Sequence, residues 1–567
     1  MGPFVVGSPR PDGDRGHENG RFTVATYVCL AAGLAAASMA GQLPDAARVL
    51  LGVLHGVVLV VRPSCVPVLL LLDVGLVGWQ GAALAPSYFG TNMDTWMHLA
   101  LIRRVAEHGI FPPDPYYRGH GAAPLTSVVH YVYGALASVT TIAGADLWRW
   151  GTAVAVLTIG ASVYFCHLQV LRDSGAALLA TVFYLWWRNF LWPCANYPRC
   201  VSPAFLFLAI GLLVRSLRSS HRAGSVAAGA ALGLAIGSHS IAGVMGALVV
   251  ATLLALEWRH AYVLESGILF ARTIALPLLV GTLLTAAPWV MSNVAAMQAM
   301  TGMAPVVYRD DRLGQFVSQE LQLPVLSWSL GLWAAPLLIG VAAVAWGRDR
   351  PTRIYVVGTA LAAAAVLCPP FSGISVSLLG ARYVARFVEV LPLPALIGLG
   401  LSRALRPADG DEPVLRVLGG VIVAAYVALL LPLQLPSGLR PLPRWVDRPE
   451  LARLEPRLHG RVVLTDLHTA YVLPYYTGAF VTANAQGHSN PWLFDSGRYW
   501  GTLRALDGTL PDAAIRRFSD RYGVELALIP SSAPPAAAER LLASGEFRPV
   551  MREHGYVLLQ RSRDDAG

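Results

Sequence analysis

Long apolar runs broken by short polar links dominate this chain. Runs at 22–41, 47–61 and 65–84 come first, and each reads as a membrane crossing. After a polar interval, further runs cover 150–171, 175–192, 202–217, 225–238, 241–256, 268–290, 327–346, 354–369, 386–404 and 414–434, which brings the expected total to about thirteen crossings. Segment 125–143 differs, because His130, Tyr131, Tyr133 and several Ser and Thr interrupt its apolar residues. It reads as an interfacial helix or a shallow re-entrant one. Leaving it out of the count places Arg172, Arg215, Arg218, Arg222, Arg259, Arg350 and Arg403 on the cytoplasmic side, as the positive-inside rule asks.

That topology makes residues 1–21 a disordered cytoplasmic tail, 22–435 a transmembrane domain, and 84–149 its first external loop with interfacial helices. Residues 436–567 become an extracytoplasmic soluble domain, of a size suited to independent folding. Its short β-type runs at 461–464, 479–482, 525–529 and 555–559 alternate with helical patterns at 449–458, 511–522 and 534–545, which predicts a small α/β layer. The fold class is therefore an α-helical polytopic membrane protein with a C-terminal soluble α/β domain.

Composition sharpens this. Of 567 residues, 55% are hydrophobic and only 14% charged, which excludes an ordinary soluble protein. The net charge of +9 would suggest a nucleic-acid partner in a soluble chain, but here the arginines flank apolar runs and act as topology signals, so no nucleic acid is expected. The chain has no lysine, so every fixed cation is a guanidinium suited to forked contacts with phosphate. Neither a GxGxxG nor a GxxxxGKS phosphate loop occurs. Cys194 and Cys200 flank the short polar loop PCANYPRC and are candidates for a disulfide.

The stretch that concentrates polar chemistry is Asn92–Arg118. Asp94 is placed as the N-cap of an amphipathic helix whose apolar stripe holds Trp96, Leu99 and Val105, and whose polar positions include His98, Arg103, Arg104 and Glu107. Gly109 ends the helix, and Phe111-Pro112-Pro113-Asp114-Pro115 prevents its continuation. This order, Asp94, His98-Leu99, Gly109 and Pro112, resembles the first external loop of the GT-C glycosyltransferases. Within that group it looks most like bacterial membrane proteins with a 6-pyruvoyl-tetrahydropterin-synthase-related domain.

The resemblance implies a transferase that moves a sugar from a polyprenyl-phosphate carrier to an envelope glycan, lipid or protein acceptor at the outer face of the cytoplasmic membrane. It makes Asp94 the candidate general base, with His98 and Asp114 beside it as substrate-binding candidates. Arg382 and Arg386, four apart and so expected on one helical face, are candidates for the departing phosphate, as is His239 at the tip of a tight hairpin. Asn196 and Arg199 stand where several GT-C families carry a second acidic motif. No carboxylate lies between Asp173 and Glu257, and this departure from the family pattern puts a bound divalent metal in doubt, because Asp94 would lack its usual partner. In the distal domain His488, Asn490, Trp492 and Arg498 form a candidate lid or acceptor subsite. Two competing readings are a polytopic transporter or lipid flippase and a non-catalytic envelope-assembly scaffold. A transporter commonly shows inverted repeats and intramembrane charges, and no repeat is visible here.

Overall fold

The computed structural model describes residues 93–119, 126–140, 142–188, 196–263, 267–298, 312–321, 323–347, 349–405, 448–484, 495–531, 535–553 and 555–562. The chain divides into two compact units, Met1–Leu76 with Leu405–Pro436, and Val77–Ala404 with Ser437–Gly567. The described residues fall in the second unit, Leu405 excepted. The spans expected at 22–41, 47–61, 65–84 and 414–434 lie outside them.

The polar loop opens with α1 (Met93–His108), and Asp94 sits within its first turn rather than on its cap. Gly109, at φ 71°, stops the helix, with its N–H donating to the Val105 carbonyl at 2.8 Å. α2 (Val128–Thr140) is the interrupted apolar segment; its 13 residues reach only ~20 Å, short of a bilayer crossing.

The membrane helices follow in order: α3 (Gly144–Leu171), α4 (Ser174–Trp187), α5 (Pro198–Ser219), α6 (Arg222–Ser238), α7 (Ser240–Val263) and α8 (Leu276–Gln298). A short amphipathic α9 (Leu313–Leu321) precedes α10 (Leu323–Trp346), α11 (Arg350–Leu367), α12 (Pro369–Leu379) and α13 (Leu393–Leu405). Five stretches among the described residues are long and apolar enough to cross a membrane: Gly144–Leu171, Pro198–Ser219, Ile241–Arg259, Gly267–Met291 and Ala381–Arg403. The pair Arg350–Leu367 and Pro369–Leu378, bent by 69°, makes a sixth if it forms one broken span. α4 and α6, at 14 and 17 residues, are both shorter than the roughly 20 residues a bilayer crossing asks for, so length alone does not carry the count of about thirteen.

Close backbone approach holds the bundle together. A Cβ at Gly229 would come within 1.9 Å of the Leu278 carbonyl oxygen, and one at Gly233 within 2.7 Å of that of Thr282. This four-residue glycine spacing lets α6 and α8 touch main chain to main chain. The Thr285 hydroxyl then donates across the contact to the Ala230 carbonyl at 3.0 Å.

Residues 448–562 build a mixed layer around a five-stranded sheet. Its strands are β1 (Val462–Leu464), β2 (Phe480–Val481), β3 (Leu526–Pro530), β4 (Phe547–Glu553) and β5 (Tyr556–Arg561), in spatial order β2-β1-β3-β5-β4. β1 runs parallel to β2 and β3, while β5 is antiparallel to both β3 and β4. Helices α14 (Leu467–Thr477), α15 (Ser496–Asp507), α16 (Asp512–Tyr522) and α17 (Pro535–Ala543) flank the sheet. The 449–458 pattern forms a 3₁₀ turn, Pro449–Leu454, running into the helical turn Glu455–Leu458. The sequence pattern did not mark β4, α14 or α15. β4 is an edge strand with only Phe547 buried, so it lacks the alternation that marks a half-buried strand.

α1 joins the two parts. Trp96, Leu99 and Ile102 share one core with Trp148 of α3, Tyr471 and Leu473 of α14, and Val463 and Val481 of the sheet. Each such side chain buried contributes about 1.5–3 kcal/mol. The polar side of α1 is tied down as well. Arg103 donates to the Tyr475 carbonyl at 2.8 Å and pairs with Glu455, and Arg104 donates to the Gly478 carbonyl at 3.0 Å while lying 4.4 Å above the Phe480 ring. The proline turn after α1 extends the sheet edge, where Val481 N–H donates to the Tyr116 carbonyl at 2.8 Å.

Candidate active site

α1 carries Asp94 and His98 one turn apart, on a face left half open at Asp94. His98 is 8% exposed and sits in an aromatic frame. Its ring stacks on Trp148 at 5.5 Å and on His130 at 5.1 Å, and meets the Tyr197 edge at 4.8 Å. The Tyr197 hydroxyl pairs with Thr95, the α1 residue beside Asp94. His98 Nδ1 and His130 Nε2 are 2.9 Å apart, and His130 Nδ1 accepts from the Ser127 N–H at 2.9 Å. Burial pushes the His98 imidazole down to about 4 against the opposing pull of Asp94. It pushes His130 well below the usual histidine range, and the neighbouring His98 adds to that shift. Both rings are neutral at pH 7.

A second group lies at the ends of α4, α5 and α9 and in the turn before α13. Arg188, 1% exposed, pairs with Glu389 and lies 3.6 Å from Glu320. Arg199 donates to both Glu320 oxygens, at 2.7 and 2.9 Å, and stands 3.7 Å from Glu389. Arg386 is buried beside them with its guanidinium 4.9 Å above the Tyr383 ring. Three guanidiniums thus face two carboxylates, and Nε of Arg199 and of Arg386 is buried without a hydrogen-bond partner among the described residues. Burial raises the Glu320 carboxyl, but Arg199, Arg188 and Arg386 outweigh it and the net shift is downward. The cluster is an incompletely satisfied cationic site, which suits an anion.

His239 links the two groups. It caps α6 in extended conformation, with its N–H donating to the Ala235 carbonyl at 3.1 Å. Burial lowers its imidazole to about 3, and Arg386, Arg199 and His98 all add to the shift, so it lies within electrostatic reach of both His98 and the arginines.

Other candidates fall elsewhere. Asn196 is fully buried and holds helices together: its amide donates to the Trp148 carbonyl and to Thr152 at 2.8 Å, and accepts from the Tyr133 hydroxyl at 2.6 Å. Asp114 is buried in an Asx turn, accepting from the N–H groups of Tyr116 and Tyr117 at 2.8 and 2.9 Å. Burial raises its carboxyl despite those bonds and the nearby Arg498 and Arg104. Arg498 clamps two rings, Tyr117 at 4.5 Å and Tyr522 at 4.8 Å, and so ties α15 to the proline turn.

Arg382 and Arg386 do not share a face. The α-turn Ala381–Val384 tightens into a 3₁₀ turn over Ala385–Val390, which rotates the register, so Arg382 is exposed and Arg386 buried. Cys200 is a free thiol packed in the aromatic core, because the first turn of α5 points it inward, and the expected disulfide is absent at that residue. Cys194, His488, Asn490 and Trp492 lie outside the described residues. In the folded protein Cys200 should resist alkylation with or without reductant and react only on denaturation; rapid labelling of folded, unreduced protein would contradict the packing.

The sequence reading overlooked Arg188, Glu320, Glu389 and His130. Glu389 had a signal, a carboxylate inside an otherwise apolar run. A divalent metal at Asp94 would need further anionic ligands nearby. No group of three or more His, Cys, Asp or Glu side chains able to hold a metal occurs among the described residues.

No family model matches the chain, and no curated protein sequence matches it. Solved structures do. ArnT from Cupriavidus metallidurans in the apo state is 14% identical, covering 84% of this chain and 96% of its own, with TM-score 0.50. The arabinofuranosyltransferase AftD from mycobacteria is 12% identical, covering 86% of this chain and 40% of its own, also at 0.50. The archaeal oligosaccharyltransferase AglB from Archaeoglobus fulgidus, in complex with an inhibitory peptide and a dolichol-phosphate, is 12% identical over 86% of this chain and 75% of its own, at 0.46. The narrower likeness to proteins with a 6-pyruvoyl-tetrahydropterin-synthase-related domain rests on the loop motif alone. With its apolar helices, the chain shares the fold of ArnT and AftD.

Proposed function

We propose that this protein transfers a sugar from a polyprenyl-phosphate carrier to an envelope glycan, lipid or protein acceptor, with Asp94 as general base. The observation that carries the reading is a partly exposed carboxylate at the start of α1 together with buried arginines, of which Arg199 and Arg386 leave Nε without a hydrogen-bond partner among the described residues, with His239 in electrostatic range of His98 and of those two arginines. In the reaction Asp94 takes the acceptor hydroxyl proton while that oxygen attacks the sugar anomeric carbon. The bond from that carbon to the phosphate oxygen breaks, and the carrier phosphate leaves with the electron pair. Arg386 and Arg199 stabilise the charge that develops there, and neutral His239 supplies a ring N–H. The N-terminus lies in the cytoplasm, and residues 436–567 lie outside the cytoplasmic membrane, on the same side as Asp94.

The test is binding of polyprenyl phosphate to purified protein in nanodiscs. Arg386→Ala should weaken it roughly 10-fold or more, the effect of one charge-assisted hydrogen bond, and slow transfer as well. Arg386→Lys should restore part of the loss, since lysine offers charge without the planar fork. Unchanged binding and transfer in Arg386→Ala would remove the phosphate site from this reading and favour a transporter or scaffold.

A further inference from the structure

The site holds a second group able to take a proton, and the structure removes it from competition with Asp94. Ser127 N–H donates to His130 Nδ1 at 2.9 Å, and the Ser127 hydroxyl lies 3.0 Å from the same nitrogen. A main-chain amide can only donate, so this nitrogen is an acceptor and the neutral ring carries its proton on Nε2. That Nε2–H points at His98 Nδ1, 2.9 Å away, which is therefore also an acceptor. His98 in turn carries its own proton on Nε2. The direction of the chain is set at Ser127 and cannot reverse, because protonating His98 on Nδ1 would set two N–H groups against each other.

We propose that His130 is a positioning residue for the transfer reaction: it occupies His98 Nδ1 and keeps a fixed, neutral Nε2–H donor beside Asp94, leaving Asp94 the only base there. This rests on the proposed transferase reading. Stacking on Trp148 and the Tyr197 edge prevents the His98 ring from turning over to present the other nitrogen. The titratable groups around His98 are Asp94 on its own helix, His130 on α2, Tyr197 ahead of α5 and His239 between α6 and α7. His130 bonds directly to its Nδ1. Asp94 favours an imidazolium at His98, and burial opposes and outweighs it. Were His98 free to charge, it would pair with Asp94 and draw down the basicity that the reaction needs.

The experiment compares His130→Gln and His130→Phe in the full chain in nanodiscs, reading the transfer rate from pH 5 to 9 and the ¹⁵N signals of labelled histidines. Glutamine places an amide N–H near the Nε2 position and should keep transfer within about 3-fold of wild type, with the same pH profile. Phenylalanine fills the space without a donor. It should lower kcat about 10-fold with little change in KM, and the ¹⁵N signals should show His98 partly protonated on Nδ1, since no donor then fixes its tautomer. A purely structural role for His130 would not move that tautomer. A wild-type His98 tautomer in the phenylalanine variant, or a glutamine variant as impaired as it, would overturn the proposal. Where the phenylalanine variant does not fold, the wild-type spectrum decides, since it must show both rings protonated on Nε2 and not on Nδ1. If wild type transfers no sugar, the transferase reading fails, while the same ¹⁵N signals still settle the relay.

Discussion

Asp94→Asn should lower sugar transfer by roughly 10²-fold or more, the loss expected when a general base is removed. Asparagine keeps the size of the side chain, so α1 and its core should stay folded and carrier binding should stay near wild type. A fall in kcat at constant carrier affinity is the signature of an interaction used in the transition state. The neighbourhood makes this substitution informative. His98 and His239 are pushed down to about 4 and 3, so neither gains a proton near pH 7 and neither replaces the lost carboxylate as a charged partner. Transfer in Asp94→Asn equal to wild type would remove the central residue of the proposed mechanism.

Glu389→Gln should destabilise the protein by about 3–5 kcal/mol, the usual result of breaking a buried ion pair from one side. Arg188, 1% exposed, would then lose its closest carboxylate and keep Glu320 at 3.6 Å, and Arg199 would lose its contact at 3.7 Å. Glutamine preserves the shape, so the loss reports charge compensation rather than packing. Replacing both partners, as in Arg188→Met with Glu389→Leu, should recover much of the stability, because an apolar pair of similar volume leaves no stranded charge. Denaturant or thermal unfolding in a single detergent measures the series. A Glu389→Gln protein as stable as wild type would show that solvent reaches the cluster.

Much of the architecture was legible because bilayers and sheets impose simple patterns. Apolar length marked α3, α5, α7, α8 and α11, and the runs around Val463, Val481, Ala527 and Leu558 marked four of five strands. What the sequence hid depends on contacts between distant residues. Arg103 and Arg104 look like the solvated face of an amphipathic helix, yet they are spent on carbonyls of α14 and the turn after it, 372 and 374 residues away. Asn196 has the chemistry of a ligand, but Tyr133, Trp148 and Thr152 exhaust it. Arg382 and Arg386 fit an α-helical spacing, and a 3₁₀ turn separates them. Helical periodicity registers neither a local change of helix type nor the directionality of the Ser127–His130–His98 chain.

The seating of α1 also orders events in time. Its guanidinium partners Glu455 and Tyr475 are encoded 352 and 372 residues after Arg103. A nascent chain that has just delivered all its apolar spans to the bilayer still holds the Asp94 helix with neither its carbonyl ligands nor the α14 half of its core. Loops this long close at an entropic cost that grows only slowly with length, so the delay is set by synthesis rather than by the chain's reach. Translation therefore acts as a timer: α1 is seated only once residues 455–481 have been made, and a product truncated before them would hold α1 without these partners.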